Sequence, residues 1–230
     1  MIESVRQHFQ TSSQIRDRDL RQRDIVLPDY LTPCRATVIG VGAIGRQVAL
    51  QLAAIGIPWL QVVDPDWVEP VNLACQGYLQ DDLDRPKVQA TADLCQQVNH
   101  EVEIHTHHER FRRSMKVGDC VFCCVDSIEA RRFIWGSVKD EVSFFSDGRM
   151  SAEVIRVLTV TKSGFEDYAS TLFRTRQAQS GSCTAKSTIF TASIAAGLML
   201  EQFSRWLRRM PVDSDLQINL LASEMIVAVD

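Results

Sequence analysis

A mostly parallel, Rossmann-like β-sheet flanked by helices is the fold this sequence predicts, and three observations predict it. From Ala36 onward, short β-rich runs alternate with amphipathic stretches, the pattern of parallel strands joined by crossover helices. The run from Cys120 to Val125 is continuously apolar, as a central strand covered on both faces should be. Gly40, Gly42 and Gly45 form G-x-G-x-x-G between a strand-like and a helix-like stretch. With 230 residues and 45% hydrophobic content, the chain has enough apolar material for one large core.

Taken in order, residues 1–34 are polar and charge-dense. They are expected to form an exposed helical arm without core residues, ending at Pro28 or Pro33. The first strand is expected from Ala36 to Ile39, a helix from Ile44 to Ala54, and the second strand from Trp59 to Val63. Asp84 followed by Pro86 and Lys87 resembles an N-cap with proline in the first turn. The helix it opens carries Val88, Ala92, Cys95 and Val98 on one face. Val102 to Thr106 reads as a strand, Cys120 to Val125 as the central strand, and Ile128 to Val138 as a helix. A nucleotide-binding half thus occupies 35–146. The C-terminal half, 147–230, continues the sheet with a strand from Val154 to Thr161, a loop-rich crossover from Gly164 to Gly181 and a long helix from Thr188 to Arg208. The two halves are expected to make one compact domain.

Lys and Arg number 25 against 29 Asp and Glu, a net charge of −4 that offers no broad attraction to DNA or anionic lipid. The first twenty residues contain no apolar run of signal-peptide type, and Ile189 to Leu200 is too short to span a bilayer. Seven cysteines at irregular spacing read as reduced thiols, so a cytoplasmic protein without membrane or DNA partners is expected.

A glycine loop at a strand–helix junction lets backbone amides and the helix N-terminus approach a phosphate. Asp64 closes the second strand, where a carboxylate accepts hydrogen bonds from ribose hydroxyls. These residues indicate a nucleotide site and leave NAD and ATP both open. The residues after Asp64 narrow the choice. Val63-Asp64-Pro65-Asp66-Trp67-Val68-Glu69-Pro70-Val71-Asn72-Leu73-Ala74-Cys75-Gln76 resembles the V-D-x-D-x-V-E-x-x-N-L-x-R-Q signature of the ThiF/MoeB/ubiquitin-activating superfamily. Lys87, Asn99 and the stretch Val125-Asp126 to Ala130-Arg131 match further motifs in order. The resemblance is strongest from about Arg23 to Arg131.

This resemblance implies an ATP-dependent adenylyltransferase that activates a carboxylate, above all the C-terminal glycine of a small ubiquitin-like or sulfur-carrier protein. Carboxylate attack on the α-phosphate of ATP brings two anions together, so the site needs cations. By resemblance Lys87 is the phosphate cation. Asp126, at the end of its strand, is assigned to the Mg²⁺ that accompanies ATP. Asp64 holds the ribose and Asp66 belongs to the same signature, while Asn72 and Gln76 are neutral donors that orient ATP. Arg23, with Arg21 as the alternative, matches the arm residue that crosses to the partner's ATP in a homodimer. Cys183, on the crossover loop beside Lys186, matches the cysteine that forms a thioester, acyl disulfide or persulfide in some members. An inert small hydrophobe is the equal alternative there.

The sequence departs from the pattern at two places: Cys75 stands where the arginine of N-L-x-R-Q belongs, and Ser127 where an asparagine follows the metal aspartate. Arg46, immediately after the third glycine, and Arg149 in Asp147-Gly148-Arg149-Met150 are the candidates to supply the lost charge. No zinc site is expected. The chain lacks paired C-x-x-C motifs, Cys120 and Cys123 on one strand point to opposite faces, and His105 with His107 has no convincing partners. Two other functions stay open: a non-catalytic member that binds nucleotide or carrier, and an NAD(P)-dependent oxidoreductase.

Overall fold

In the computed structural model, residues 18–161, 165–172 and 187–228 are described. Eight strands form one sheet in the order β3-β2-β1-β4-β5-β6-β7-β8. The first five in space are parallel: β3 (Glu103–His107), β2 (Trp59–Val63), β1 (Arg35–Ile39), β4 (Cys120–Cys123) and β5 (Phe144–Ser151). An antiparallel extension of β6 (Val154–Val160), β7 (Asp215–Asn219) and β8 (Glu224–Val227) completes the sheet. The expected α/β architecture is therefore the one observed. The helices are α1 (Pro28–Leu31), α2 (Ala43–Ile55), α3 (Pro70–Gln76), α4 (Lys87–Val98), α5 (Ile128–Val138), α6 (Phe165–Ser170) and α7 (Ile189–Leu207).

Strand alternation sorts the core into two layers. Val38, Val62, Cys120, Phe122 and Phe144 join Val48 and Leu52 of α2, Val88 and Cys95 of α4, and Ala195, Met199 and Phe203 of α7 on one face. Ile39, Val63, Val121, Cys123 and Phe145 meet Ile134, Trp135 and Val138 of α5, with Tyr168 of α6, on the other. Cys120 and Cys123 are thus on opposite faces, as their spacing requires. No helix among the described residues is long and apolar enough to cross a membrane.

Three expectations need correction. The arm is not free of core residues, because Val26, Leu31 and Cys34 are buried and belong to the first layer. Arg18 also donates to the carbonyls of Ala53 and Ala54 at the C-terminus of α2, and Gln22 to that of Ile55. Asp84 does not cap α4. Its backbone is left-handed (φ 58°), and Pro86 occupies the cap position. The central strand stops at Cys123, since the chain turns into the site after it, and a separate helix, α3, stands where the sequence showed only a motif.

Candidate active site

In a sheet of order 3-2-1-4-5 the connections leave β1 in opposite directions, opening a crevice at the C-terminal ends of β1 and β4. Gly40 follows β1 there with φ +86°. A Cβ on Gly40 would lie 2.9 Å from the carbonyl oxygen of Cys124 and 3.2 Å from Cγ1 of Val125. The glycine loop is therefore pressed against the end of β4, one residue before the exposed Asp126. A Cβ on Gly45 would lie 1.8 Å from the Gly40 carbonyl oxygen, so the first turn of α2 can seat against the loop only without a side chain. Gly42 caps α2, and its missing Cβ would meet nothing nearer than Oε1 of Gln76 at 4.0 Å. That leaves open space above the helix N-terminus.

Asp64 braces this loop. Its Oδ2 accepts the Val41 N–H and its Oδ1 the Asp66 N–H, both at 2.8 Å. Burial raises its pKa, against the opposing pull of the two N–H donors and of Lys87. Tyr78 is a second brace that sequence reasoning missed. Its hydroxyl donates to the Val41 carbonyl at 2.6 Å and lies 3.5 Å from that of Lys87, so one phenolic oxygen ties the loop to the start of α4. Burial pushes the phenol pKa upward and keeps this donor protonated. No motif marked Tyr78; the only signal was an aromatic residue shortly after Gln76.

Lys87 is the first residue of α4 and only 6% exposed, and its Nζ lies 3.1 Å from Oδ2 of the exposed Asp66. The ammonium is thus held at the crevice by a carboxylate free to swing into solvent. Asn72 is buried, and its Oδ1 accepts the Glu69 N–H at 2.9 Å, which caps α3. Gln76 leaves its buried Oε1 without a hydrogen-bond partner beside Gly42. Cys75 is half-buried and donates to the Val71 carbonyl.

Both arginines considered as replacements for the missing charge have other contacts, although Nη1 and Nη2 of Arg46 are buried without a hydrogen-bond partner. Arg46 is 1% exposed, lies 4.0 Å over the Tyr78 ring, donates to the Gly77 carbonyl and faces Asp82 at 3.7 Å. Arg149 donates to Asp147 and to the backbone and hydroxyl of Thr171. Buried Asp147 also accepts from Arg131 and from the Tyr168 hydroxyl. Ser127 is spent on capping α5, accepting the Ala130 N–H. Arg23 is exposed near the C-terminal end of α2, on the order of 20 Å of helix from the glycine loop of its own chain. Cys183 lies outside the described residues.

The structure thus brings together the glycine loop, Asp64, Asp66, Gln76, Lys87 and Asp126, sets Asn72 as a cap beside them, and keeps Arg23 apart. A model of the ThiF family matches residues 17–223, the whole span that carries this arrangement. The chain belongs to the ThiF family. Among curated relatives, the ThiF-family chain is 29% identical over 133 residues to the sulfur carrier protein ThiS adenylyltransferase of Escherichia coli strain K12, covering 51% of this chain and 53% of that one. It is 33% identical over 98 residues to the maize adenylyltransferase and sulfurtransferase MOCS3-2, covering 39% of this chain and 20% of the relative. It is 28% identical over 135 residues to the NEDD8-activating enzyme E1 catalytic subunit of Caenorhabditis elegans, covering 55% and 31%. These matches span between a fifth and about half of the relatives' own length. Two solved structures share the fold of the ThiF-family chain. PaaA has TM-score 0.78 at 21% identity, with 94% of this chain and 73% of that one covered. Escherichia coli MccB with MccA has TM-score 0.71 at 13% identity, with 89% and 66% covered.

Proposed function

We propose that the protein is an ATP-dependent adenylyltransferase that activates the C-terminal carboxylate of a small ubiquitin-like or sulfur-carrier protein, acting as a homodimer. The observation that carries this reading is the seating of the glycine loop against Cys124 and Val125, with Tyr78 linking the same loop to Lys87. One crevice then holds a phosphate loop, a cation and the carboxylate of Asp126. The open space above Gly42 fits a phosphate group, and the unpartnered Gln76 Oε1 beside it fits a polar ligand.

On this reading Asp126 holds the Mg²⁺ of ATP, whose positive charge offsets that gathering on the phosphates. The amides at the start of α2 bind phosphate oxygens, Asp64 accepts from the ribose, and Lys87 leaves Asp66 to meet phosphate. The carrier carboxylate attacks the α-phosphorus, the α–β phosphoanhydride bond breaks, and pyrophosphate leaves with the bonding electrons. Arg23 serves the partner's site, since its own is a helix length away.

Calorimetric titration tests the assignment. Mg²⁺-dependent binding of ATP with no comparable binding of NAD is expected, and Asp126→Ala should remove the magnesium-dependent part. Tight NAD binding without ATP binding would turn the assignment over to an oxidoreductase. A second reading, a member that binds ATP without turnover, is favoured by Cys75 together with the burial of Arg46 and the occupied hydrogen bonds of Arg149. ATP binding without carrier-dependent pyrophosphate exchange would select it.

A further inference from the structure

The end of the sheet opposite the glycine loop carries a second cluster of chemically active groups. Cys34 precedes β1 and Cys120 opens β4, and the parallel register pairs Ala36 with Cys120. The two thiol sulfurs and a carboxylate oxygen of Asp119 lie within 4.8 Å of one another. Sγ of Cys120 is 3.7 Å from Oδ2 of Asp119. Adjacent ligands of a tetrahedral zinc with bonds of about 2.3 Å are separated by about 3.7 Å, so this edge needs little adjustment. Both cysteines are buried, at 3% and 0% exposure.

Local contacts hold the ligands in place. The Arg35 N–H donates to Oδ1 of Asp119 at 2.7 Å, turning the other oxygen towards the thiols, the kind of outer contact that orients a metal ligand. The Cys34 thiol donates to the Tyr30 carbonyl at 3.1 Å, a bond that deprotonation on metal binding would exchange for the bond to the cation. A cavity of about 410 Å³ lies alongside, lined by Tyr30, Ser143, Thr161, Trp206, Leu207 and Arg209. Two of its walls touch the cluster: Tyr30 through Cys34, and Ser143 through its N–H to the Asp119 carbonyl. The expectation of no zinc site rested on the C-x-x-C pairs and on His105 with His107, and none of these can see cysteines joined only by strand register.

We propose that Cys34, Asp119 and Cys120 bind one thiophilic divalent cation, zinc, with water from the cavity in the fourth position. Each Zn–S bond forms as a thiol gives its proton to solvent, and nothing is oxidised. A disulfide between the two cysteines would have no use for the oriented carboxylate, whereas a cation takes it as third ligand. The site is separate from the nucleotide crevice and does not depend on adenylyltransferase activity.

Cobalt(II) titration of the full-length, chelator-stripped, reduced protein provides the test. One equivalent should give a thiolate-to-cobalt charge-transfer band with the visible bands of a tetrahedral site, and zinc should displace it. Cys34→Ser and Cys120→Ser should each abolish the thiolate band, and Cys75→Ser should leave it. Asp119→Asn, which keeps the packing, should lower zinc affinity by at least the roughly 10-fold that losing an outer-shell partner costs. Zinc should also protect Cys34 and Cys120 from alkylation during partial denaturation of the unmodified protein, a readout that needs no variant to fold. A band that survives both serine substitutions, alkylation unchanged by zinc, or no stoichiometric cobalt binding would each overturn the proposal.

Discussion

At Gly45 a single hydrogen atom decides whether the loop can close, because any Cβ there would collide with backbone and not with a side chain able to move aside. Gly45→Ala should destabilise by about 1–3 kcal/mol, as overpacking does, lowering Tm by roughly 2–4 °C per kcal/mol. It should also weaken ATP binding more than Gly136→Ala, whose added carbon meets nothing within 4 Å. Scanning calorimetry with ATP titration checks both. The thiols make a second prediction at this scale. Burial pushes Cys95 and Cys123 up to about 12, so at neutral pH the native protein holds almost no thiolate at either. Iodoacetamide should leave both unmodified, and mass spectrometry after a native pulse should find label on the half-buried Cys75 before either of them.

At the scale of elements, α5, β5 and α6 are joined through one carboxylate, Asp147, which receives Arg131, Arg149 and Tyr168. Arg131→Ala removes one charged hydrogen bond but leaves Asp147 paired with Arg149 and Tyr168, so it should cost about 1.5–3 kcal/mol, read as a shift in urea midpoint at unchanged slope. Legibility in the sequence follows the same division. β2 and α5 were readable to their last residue because apolar periodicity is a local signal. The glycine loop and Asp64 were legible because chain order sets them at strand ends, whereas Lys87 and Asp126 were singled out by resemblance to the ThiF-family motifs. Tyr78, Asp82 and Asp147 were not, because their partners Val41, Arg46 and Arg131 become neighbours only when the sheet forms. The surroundings of the arginines offered for Cys75 were illegible for the same reason: the sequence did not reveal that Arg46 is buried under Tyr78 or that Arg149 is bound to Asp147 and Thr171.

For the whole molecule, the distance of Arg23 from its own loop makes the proposed dimer testable by mixing. Chains carrying Arg23→Ala and chains carrying Asp126→Ala should each lose carrier-dependent pyrophosphate exchange, and the mixture should recover part of it, because one site of the mixed dimer keeps both residues. A monomer in light scattering would refute the arrangement. The far edge of the sheet carries its own expectation. Among the described residues nothing pairs with the outer side of β8, where Met225 and Ile226 are exposed. Ile226→Lys should reduce light scattering at high concentration with little change in Tm.

The side-by-side run of β1 and β4 is also a ruler. Cys34 and Gly40 stand at opposite ends of one extended segment, on the order of 20 Å apart at about 3.3 Å per residue. A paramagnetic ion seated on the thiols would broaden the phosphorus resonances of nucleotide bound at the other end by an amount fixed by that length. The fold would then report, from within a single chain, where its ligand sits.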